Sequence, residues 1–170
     1  MRVPISWLKD YIDLDIPLEE LARKLTMAGI EVSSIEIIGE SWTSIFVGEV
    51  IELAPHPNAD RLKLATVNFG KDPVSVVCGA TNISRGQRVA FAMTGANLID
   101  PDTHESTQLK PVRIRGVLSE GMICSERELG IGESHLGVMI LPEDAPIGIQ
   151  LSDYLGDKVL DLEITSNRPD

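Results

Sequence analysis

The sequence predicts an α+β protein in which a small β-barrel lies between two short flanks that mix helix and strand. The middle of the chain consists of short β-branched runs, broken by Gly, Pro and Asn at intervals of roughly ten residues, which is the pattern of a small barrel. Apolar residues at helical spacing precede this region, and an alternating apolar and polar run near residue 160 follows it. These three observations define the predicted order of elements.

The first flank is predicted to contain two helical segments and a strand. Ser6 is placed to cap a short helix that directs apolar side chains toward a core, namely Trp7, Leu8, Tyr11 and Ile12. A second helix is predicted after Pro17 and ends at Gly29, because apolar residues recur at helical spacing between them: Leu18, Leu21, Ala22 and Leu25. Residues 30–38 then alternate apolar and polar, which predicts a strand with one polar face.

The middle region is predicted to supply the strands of the barrel. The candidate strands are 45–53, 63–69, 74–78, 89–93, 112–115, 121–124 and 138–141. The polar segment 100–110 contains Pro101 and is predicted to be a surface loop.

The closing flank is predicted to add a helical turn at Leu151, Tyr154 and Leu155 and a strand at 159–165. The polar ending 166–170 follows that strand directly, and we interpret it as a connection into a longer protein. The alternative is a natural terminus, since termini are often polar turns.

Composition and charge limit the function classes. The formal net charge is −11, and the balances are −3 for residues 1–39, −5 for 40–151 and −3 for 152–170. Nucleic-acid affinity comes largely from Lys and Arg replacing counterions, so only a local patch is expected to bind phosphate. No apolar run approaches the length of a membrane span and no signal peptide opens the chain, which favours a cytoplasmic protein. Cys78 and Cys124 stand alone and are expected to be buried thiols.

Three segments carry the most specific local signals. Residues 56–67 begin His-Pro-Asn-Ala-Asp-Arg-Leu-Lys, where Asn58 or Asp60 is expected to cap a helical turn. Residues 77–83 end a strand with small residues that allow close backbone approach. Residues 114–130 contain a Gly-interrupted bend, a buried strand and a helix start that Ser125 can cap.

In this order, the three segments resemble the tRNA-binding domain shared by phenylalanyl-tRNA synthetase β-subunits and the C-terminal appendage of many methionyl-tRNA synthetases. The resemblance covers about residues 45–150. The flanks resemble the bacterial β-subunit family and not the appendage, at three stretches: 4–11, 25–32 and 162–170.

The resemblance implies an OB-type β-barrel inserted into a small discontinuous α/β domain that the two chain ends form together. The implied domains are 1–39 with 152–170, incomplete at its C-terminus, and 40–151. The whole enzyme would attach phenylalanine to its tRNA with ATP and Mg²⁺, as an assembly of two α-subunits and two β-subunits. This piece would be N-terminal and non-catalytic, with an auxiliary tRNA-binding or structural role, and inactive alone. The alternative is a free-standing OB-fold tRNA-binding or chaperone-like protein.

The candidate contacts to tRNA follow from the motifs and the nearby basic residues. They are Asn58, Arg61, Lys63, Asn82, Arg85, Arg113, Arg115 and Ser125. The alternative for each is an ordinary solvated charge or turn residue. Phe46, Phe69 and Phe91 lie in apolar strands and are expected in the core rather than on a stacking surface.

No catalytic residue and no metal site is predicted for this chain. The three histidines, His56, His104 and His135, and the two cysteines lack the spacing of metal ligands. Acidic pairs such as Glu126 with Glu128 are typical of solvated loops or helix starts.

Overall fold

The computed structural model describes residues 1–100, 102–134 and 136–164. The chain divides into two compact units. One contains Met1–Gly39 and, of the described residues, 155–164, and the other contains Glu40–Tyr154.

The described residues form three helices and thirteen strands. The helices are α1 (Ile5–Lys9), α2 (Leu18–Met27) and α3 (Leu151–Leu155). The strands are β1 (Arg2–Pro4), β2 (Glu31–Ile38), β3 (Ile45–His56), β4 (Ala59–Asn68), β5 (Val74–Cys78), β6 (Arg88–Met93), β7 (Asn97–Ile99), β8 (Ser106–Gln108), β9 (Val112–Ile114), β10 (Val117–Ser119), β11 (Gly121–Ile123), β12 (Ile140–Leu141) and β13 (Asp157–Glu163).

The smaller unit is an antiparallel sheet in the order β1-β13-β2, covered by α1 and α2. Leu160 is fully buried and lies between Val3 of β1 and Ile35 of β2. Val3, Leu160 and Leu162 form the buried core, against which apolar residues of both helices pack: Ile5, Leu8, Leu18, Leu21 and Leu25. The first and last segments of the described chain therefore share one sheet and one core.

Helix α2 ends where its sequence predicts. Gly29 has φ of 90°, a left-handed conformation that lacks a steric penalty only for glycine. The amide of Ile30 donates to the carbonyl of Leu25 at 2.9 Å, which closes the helix end with the bond of a Schellman motif.

Helix α1 differs from its prediction in two respects. Pro4, not Ser6, precedes the helix, and the Ser6 amide and hydroxyl both donate to the carboxylate of Asp157, which caps the helix from a distant strand. Trp7, Tyr11 and Ile12 do not enter the core, since they are 52%, 72% and 51% exposed. A helix of five residues turns only one narrow face to the sheet, and Ile5 and Leu8 occupy it.

The larger unit is a nearly closed antiparallel sheet in the order β11-β6-β3-β4-β5, with β12 paired to β6. Its two ends, β5 and β11, contact each other. The hydroxyl of Ser119, the last residue of β10, accepts from the Val77 amide of β5 at 3.2 Å and donates to the Gly121 carbonyl of β11 at 3.0 Å. Ser119 thus links the two edge strands of the sheet.

The barrel core is apolar and includes the three phenylalanines. Phe69 and Phe91 are 3% and 0% exposed, and Phe46 packs against the same cluster. The Phe69 ring lies 5.6 Å from that of Phe46 and 5.2 Å from that of Phe91. Their predicted place in the core is confirmed. Gly121 is required beside them, because a Cβ there would lie 2.7 Å from the Phe91 ring.

Several predicted elements of the barrel are corrected. The surface loop at 100–110 contains β8, an exposed strand paired with β7. The strand predicted at 138–141 is reduced to Ile140–Leu141. A capping interaction forms at Ser125, but only turns follow it and no helix. Pro101, His135, Thr165 and the ending 166–170 lie outside the described residues.

The predicted fold class is confirmed: an OB-type barrel with small α/β parts contributed by the chain ends.

Candidate nucleic-acid interface

The first predicted motif forms the hairpin between β3 and β4 instead of a capped helical turn. His56 pairs with Ala59, so Pro57 and Asn58 make a two-residue turn. The next pair is Pro55 with Lys63, which leaves three residues of β4, Asp60, Arg61 and Leu62, unpaired in a bulge. Bulges redirect side chains out of the regular alternation of a strand. The exposed Arg61 lies in this bulge.

His56 and Asn58 connect this hairpin to the β9–β10 hairpin. The backbone amide nitrogen of Asn58 donates to His56 Nδ1 at 3.1 Å, and His56 Nε2 lies 3.1 Å from the Ile114 carbonyl oxygen. Asn58 Nδ2 donates to the Arg115 carbonyl at 3.0 Å. Two neighbouring carbonyls of one hairpin are therefore bound by side chains of the other, across 58 and 57 positions of sequence.

The β9–β10 hairpin turns at Arg115 and Gly116. Their φ angles are 49° and 90°, and the strands pair at Ile114 with Val117, so the turn has the two positive φ angles of type I′. Such turns favour Asn-Gly, and a left-handed arginine costs about 1 kcal/mol or more. The turn therefore presents an arginine at a position whose backbone favours a smaller residue.

We call the two contacting segments, 56–63 and 112–119, the hairpin junction. It contains four basic residues, Arg61, Lys63, Arg113 and Arg115, and one acidic residue, Asp60, which is a balance of +3 in a chain of −11. The three arginines are exposed, and Lys63 is half-buried beside Cys78 on the neighbouring strand. Within 1–100, 102–134 and 136–164, none of these four cations is in an ion pair.

Asn82 and Ser125 have internal structural roles. The Asn82 side chain donates to the Val138 carbonyl at 2.8 Å and accepts from the Val138 amide at 3.0 Å. The Ser125 hydroxyl donates to the Glu128 carboxylate at 2.9 Å, and that carboxylate also accepts from the Ser125 amide. Ser125 is 7% exposed. The polar atoms of both side chains are thus occupied within the fold.

Arg85 is exposed but lies away from the hairpin junction. It belongs to the turn before β6, where the Gly86 amide donates to the Val50 carbonyl in the middle of β3. His56 is six residues farther along β3, which corresponds to about 20 Å of strand. The structure therefore brings Asn58, Arg61, Lys63, Arg113 and Arg115 together and leaves Arg85 elsewhere.

A surface groove of about 550 Å³ opens beside Ser125. Its lining combines apolar residues such as Met122 and Leu136 with the carboxylates of Asp102 and Glu128. Arg127 also lines this groove, but the two carboxylates leave its lining with a net charge of −1. The hairpin junction, at +3, is therefore the more favourable surface for a nucleic-acid backbone.

The two thiols are buried, as predicted: Cys78 is 6% and Cys124 0% exposed. Burial raises the pKa of both thiols, while a backbone hydrogen bond from Ala80 and the charge of Lys63 partly offset the rise for Cys78. In the part of the chain that the structure describes, no three His, Cys, Asp or Glu side chains cluster as metal ligands would. His135, one of the histidines considered, is outside that part. None of the described helices is long and apolar enough to span a membrane.

His56 is the residue that sequence inspection missed as part of this site. Its only sequence signal is its place at the head of the His-Pro-Asn motif. A histidine there is equally compatible with a solvated turn, and only the fold brings Ile114 within hydrogen-bonding distance.

Comparison with known proteins places this geometry in context. The family model described as "Putative tRNA binding domain" matches residues 45–150. Three curated relatives are phenylalanine–tRNA ligase β-subunits: from Dehalococcoides mccartyi, 48% identical over 170 residues, from Rhodospirillum rubrum, 47% over 171, and from Syntrophus aciditrophicus, 46% over 172. Each match covers 100% of this chain and 21% of the relative. The chain thus spans about a fifth of the length of these relatives.

Proposed function

This chain belongs to the tRNA-binding domain family and is homologous along its whole length to phenylalanine–tRNA ligase β-subunits, and from that premise we propose that it is the N-terminal, non-catalytic, tRNA-binding part of such a subunit. The resemblance predicted from its motifs is confirmed by these relatives. The observation that supports the role most directly is the hairpin junction, a basic surface inside the segment that the family model matches.

The binding surface that we propose consists of Arg61, Lys63, Arg113 and Arg115. Exposed arginines bind phosphate oxygens bidentately, and each contact releases counterions from the RNA. Because this surface offers only four cations and the molecule as a whole is acidic, we expect the interaction with tRNA to be weak and sensitive to salt. Neither Asn82 nor Ser125 belongs to it, because internal hydrogen bonds occupy both side chains.

The experiment is a filter-binding titration of a phenylalanine tRNA transcript with the 170-residue chain at two salt concentrations. Arg115→Asn removes one junction charge and places an Asn-Gly pair in a turn that favours it. We expect affinity to fall about fivefold to tenfold at 0.1 M salt, and the salt slope to decrease by about 0.7 to 0.9.

Arg85→Ala is the matched control, since it removes the same charge from the same barrel away from the junction. We expect its affinity to stay within about twofold of the parent. Equal losses for the two variants would show that net charge alone governs binding. A parent complex that persists unchanged in high salt would also contradict the proposal.

We assign the chemistry of the whole enzyme to other parts of it. By resemblance, the α-subunit would carry the aminoacylation site, ATP and Mg²⁺, within an assembly of two α and two β chains. Proofreading of mischarged tyrosine would belong to β-subunit segments that follow. We assign no catalytic residue, resident metal or cofactor to this chain, and we place the enzyme in the cytoplasm, where proteins are synthesised.

We also propose domain boundaries for the family member. The domain of the chain ends comprises 1–39 and 152–170, and the barrel domain comprises 40–151; the compact units divide three residues later, after Tyr154. The support is the sheet in which β1 and β2 flank β13. The same homology makes a free-standing chaperone-like protein the weaker alternative, because the matches to β-subunits include both flanks.

A further inference from the structure

Building on the proposed tRNA-binding role, we propose that His56 and Asn58 are positioning residues, which hold the Arg115 turn in the orientation that binds an RNA phosphate. Neither side chain needs to touch the RNA. They would act through the backbone of the β9–β10 hairpin, whose two turn-proximal carbonyls they bind.

The hydrogen bonds of His56 define which ring nitrogen carries the proton. Nδ1 accepts from the backbone amide of Asn58, so it carries no proton. The partner of Nε2 is a carbonyl oxygen, which can only accept, so Nε2 carries the proton and donates to Ile114. His56 is 5% exposed, and the ring therefore bridges two chain segments in a site shielded from water.

Asn58 extends the same connection by one residue. Its side chain donates to the carbonyl of Arg115, next to the carbonyl that His56 binds. Gly116 lies close by, since a Cβ added there would be 3.7 Å from Asn58 Nδ2. The carbonyls of Ile114 and Arg115 both accept hydrogen bonds. The short β9–β10 hairpin, whose strands have three residues each, therefore cannot change its orientation without breaking these two bonds.

Arg115 is the residue whose position these hydrogen bonds would fix. Its backbone is left-handed, its side chain is exposed, and its carbonyl is held by Asn58. Affinity for a phosphate depends on how well the cation is already placed, because ordering a mobile hairpin on binding opposes association. Loss of the Asn58 bond is therefore expected to weaken binding only as long as Arg115 is present.

A double-mutant cycle tests this dependence with Asn58→Ala, Arg115→Asn and the double variant. The readouts are the dissociation constant for the tRNA transcript at 0.1 M salt and the unfolding midpoint in urea. Asn58 is exposed, so Asn58→Ala is expected to fold. We expect Asn58→Ala to weaken binding about threefold to fivefold in the parent and less than about 1.5-fold beside Arg115→Asn.

Rescue at position 56 separates positioning from mere stability. His56→Gln keeps an N–H donor that can reach the Ile114 carbonyl, whereas His56→Ala has none. We expect Gln to retain affinity within about twofold of the parent and Ala to lose as much as Asn58→Ala.

The outcomes distinguish this inference from the proposed function. Equal losses from Asn58→Ala in both backgrounds, or no loss in the parent, would overturn the positioning role while leaving the basic surface intact. If Arg115→Asn itself binds tRNA like the parent, the proposed surface is wrong whatever Asn58→Ala does.

Discussion

The side-chain amide of Asn82 makes two hydrogen bonds to the backbone of a single residue. It donates to the carbonyl of Val138 and accepts from the amide of Val138, as a neighbouring strand would. The strand predicted from residue 138 begins only at Ile140, and at Val138 the Asn82 side chain stands in the place of a paired strand. A residue predicted to contact tRNA is thus better explained as a substitute for strand pairing.

We predict that Asn82→Ala destabilises the chain by about 1 to 3 kcal/mol, because Val138 would lose both partners and Val138 is 9% exposed. Urea unfolding followed by circular dichroism measures the change. Arg85→Ala, three residues away on the surface, serves as the control and should shift stability by less than about 0.5 kcal/mol.

A stability for Asn82→Ala equal to that of the Arg85→Ala control would contradict this role. It would return Asn82 to the set of residues available to a ligand.

At the scale of elements, the helices of the smaller unit show how short segments divide apolar residues between core and surface. The ten residues of α2 pack a regular, partly buried apolar stripe against the core of the sheet, as their spacing predicts. The five residues of α1 pack Ile5 and Leu8, both partly buried, against the core, but they leave Trp7 on the surface, edge-on to Tyr11 at 5.5 Å. Apolar character alone did not distinguish these two outcomes.

The difference in burial predicts that truncating Leu160 costs more stability than truncating Trp7. Leu160→Ala empties the centre of the three-stranded sheet and is expected to cost about 2 to 5 kcal/mol of stability. Trp7→Ala removes a larger side chain that is already half in water, and should cost less than about 1.5 kcal/mol. Chemical unfolding of both variants by circular dichroism compares them, and a larger loss for Trp7→Ala would show that the indole is buried in solution.

At the scale of the whole molecule, the net charge opposes nucleic-acid binding, and the hairpin junction is a local exception. The net charge of −11 repels RNA, while the hairpin junction concentrates +3 in sixteen residues. Tertiary structure brings segments 56–63 and 112–119 into contact. Neither the charge balance of the sequence nor the spacing of its motifs predicts that contact.

We predict that the 170-residue chain does not attach phenylalanine to tRNA. In the proposed division of roles, the reaction requires parts of the enzyme other than this chain, which spans about a fifth of the length of its β-subunit relatives. Incorporation of labelled phenylalanine into tRNA, with ATP and Mg²⁺ present, is the measurement, and an intact phenylalanine–tRNA ligase is the positive control. Charging above the level without protein would refute the assignment.

The amino-acid sequence by itself was enough for the fold class and the family. The spacing of Gly, Pro and Asn between β-branched runs predicts the barrel, and the three ordered motifs with their flanks predict the relatives. Helix α2 and most barrel strands follow from periodicity, because local patterning and burial agree there. The buried thiols and core phenylalanines follow for the same reason.

Tertiary structure alone decided which polar residues share a surface. Asn58 forms a turn instead of a helix cap, since its amide and side chain find partners at His56 and, 57 positions away, at Arg115. Ser6 leaves its predicted capping role to Asp157, 151 residues distant. A hydrogen bond between distant segments is specified by the packing of the strands that carry them, and this information is not present in local spacing.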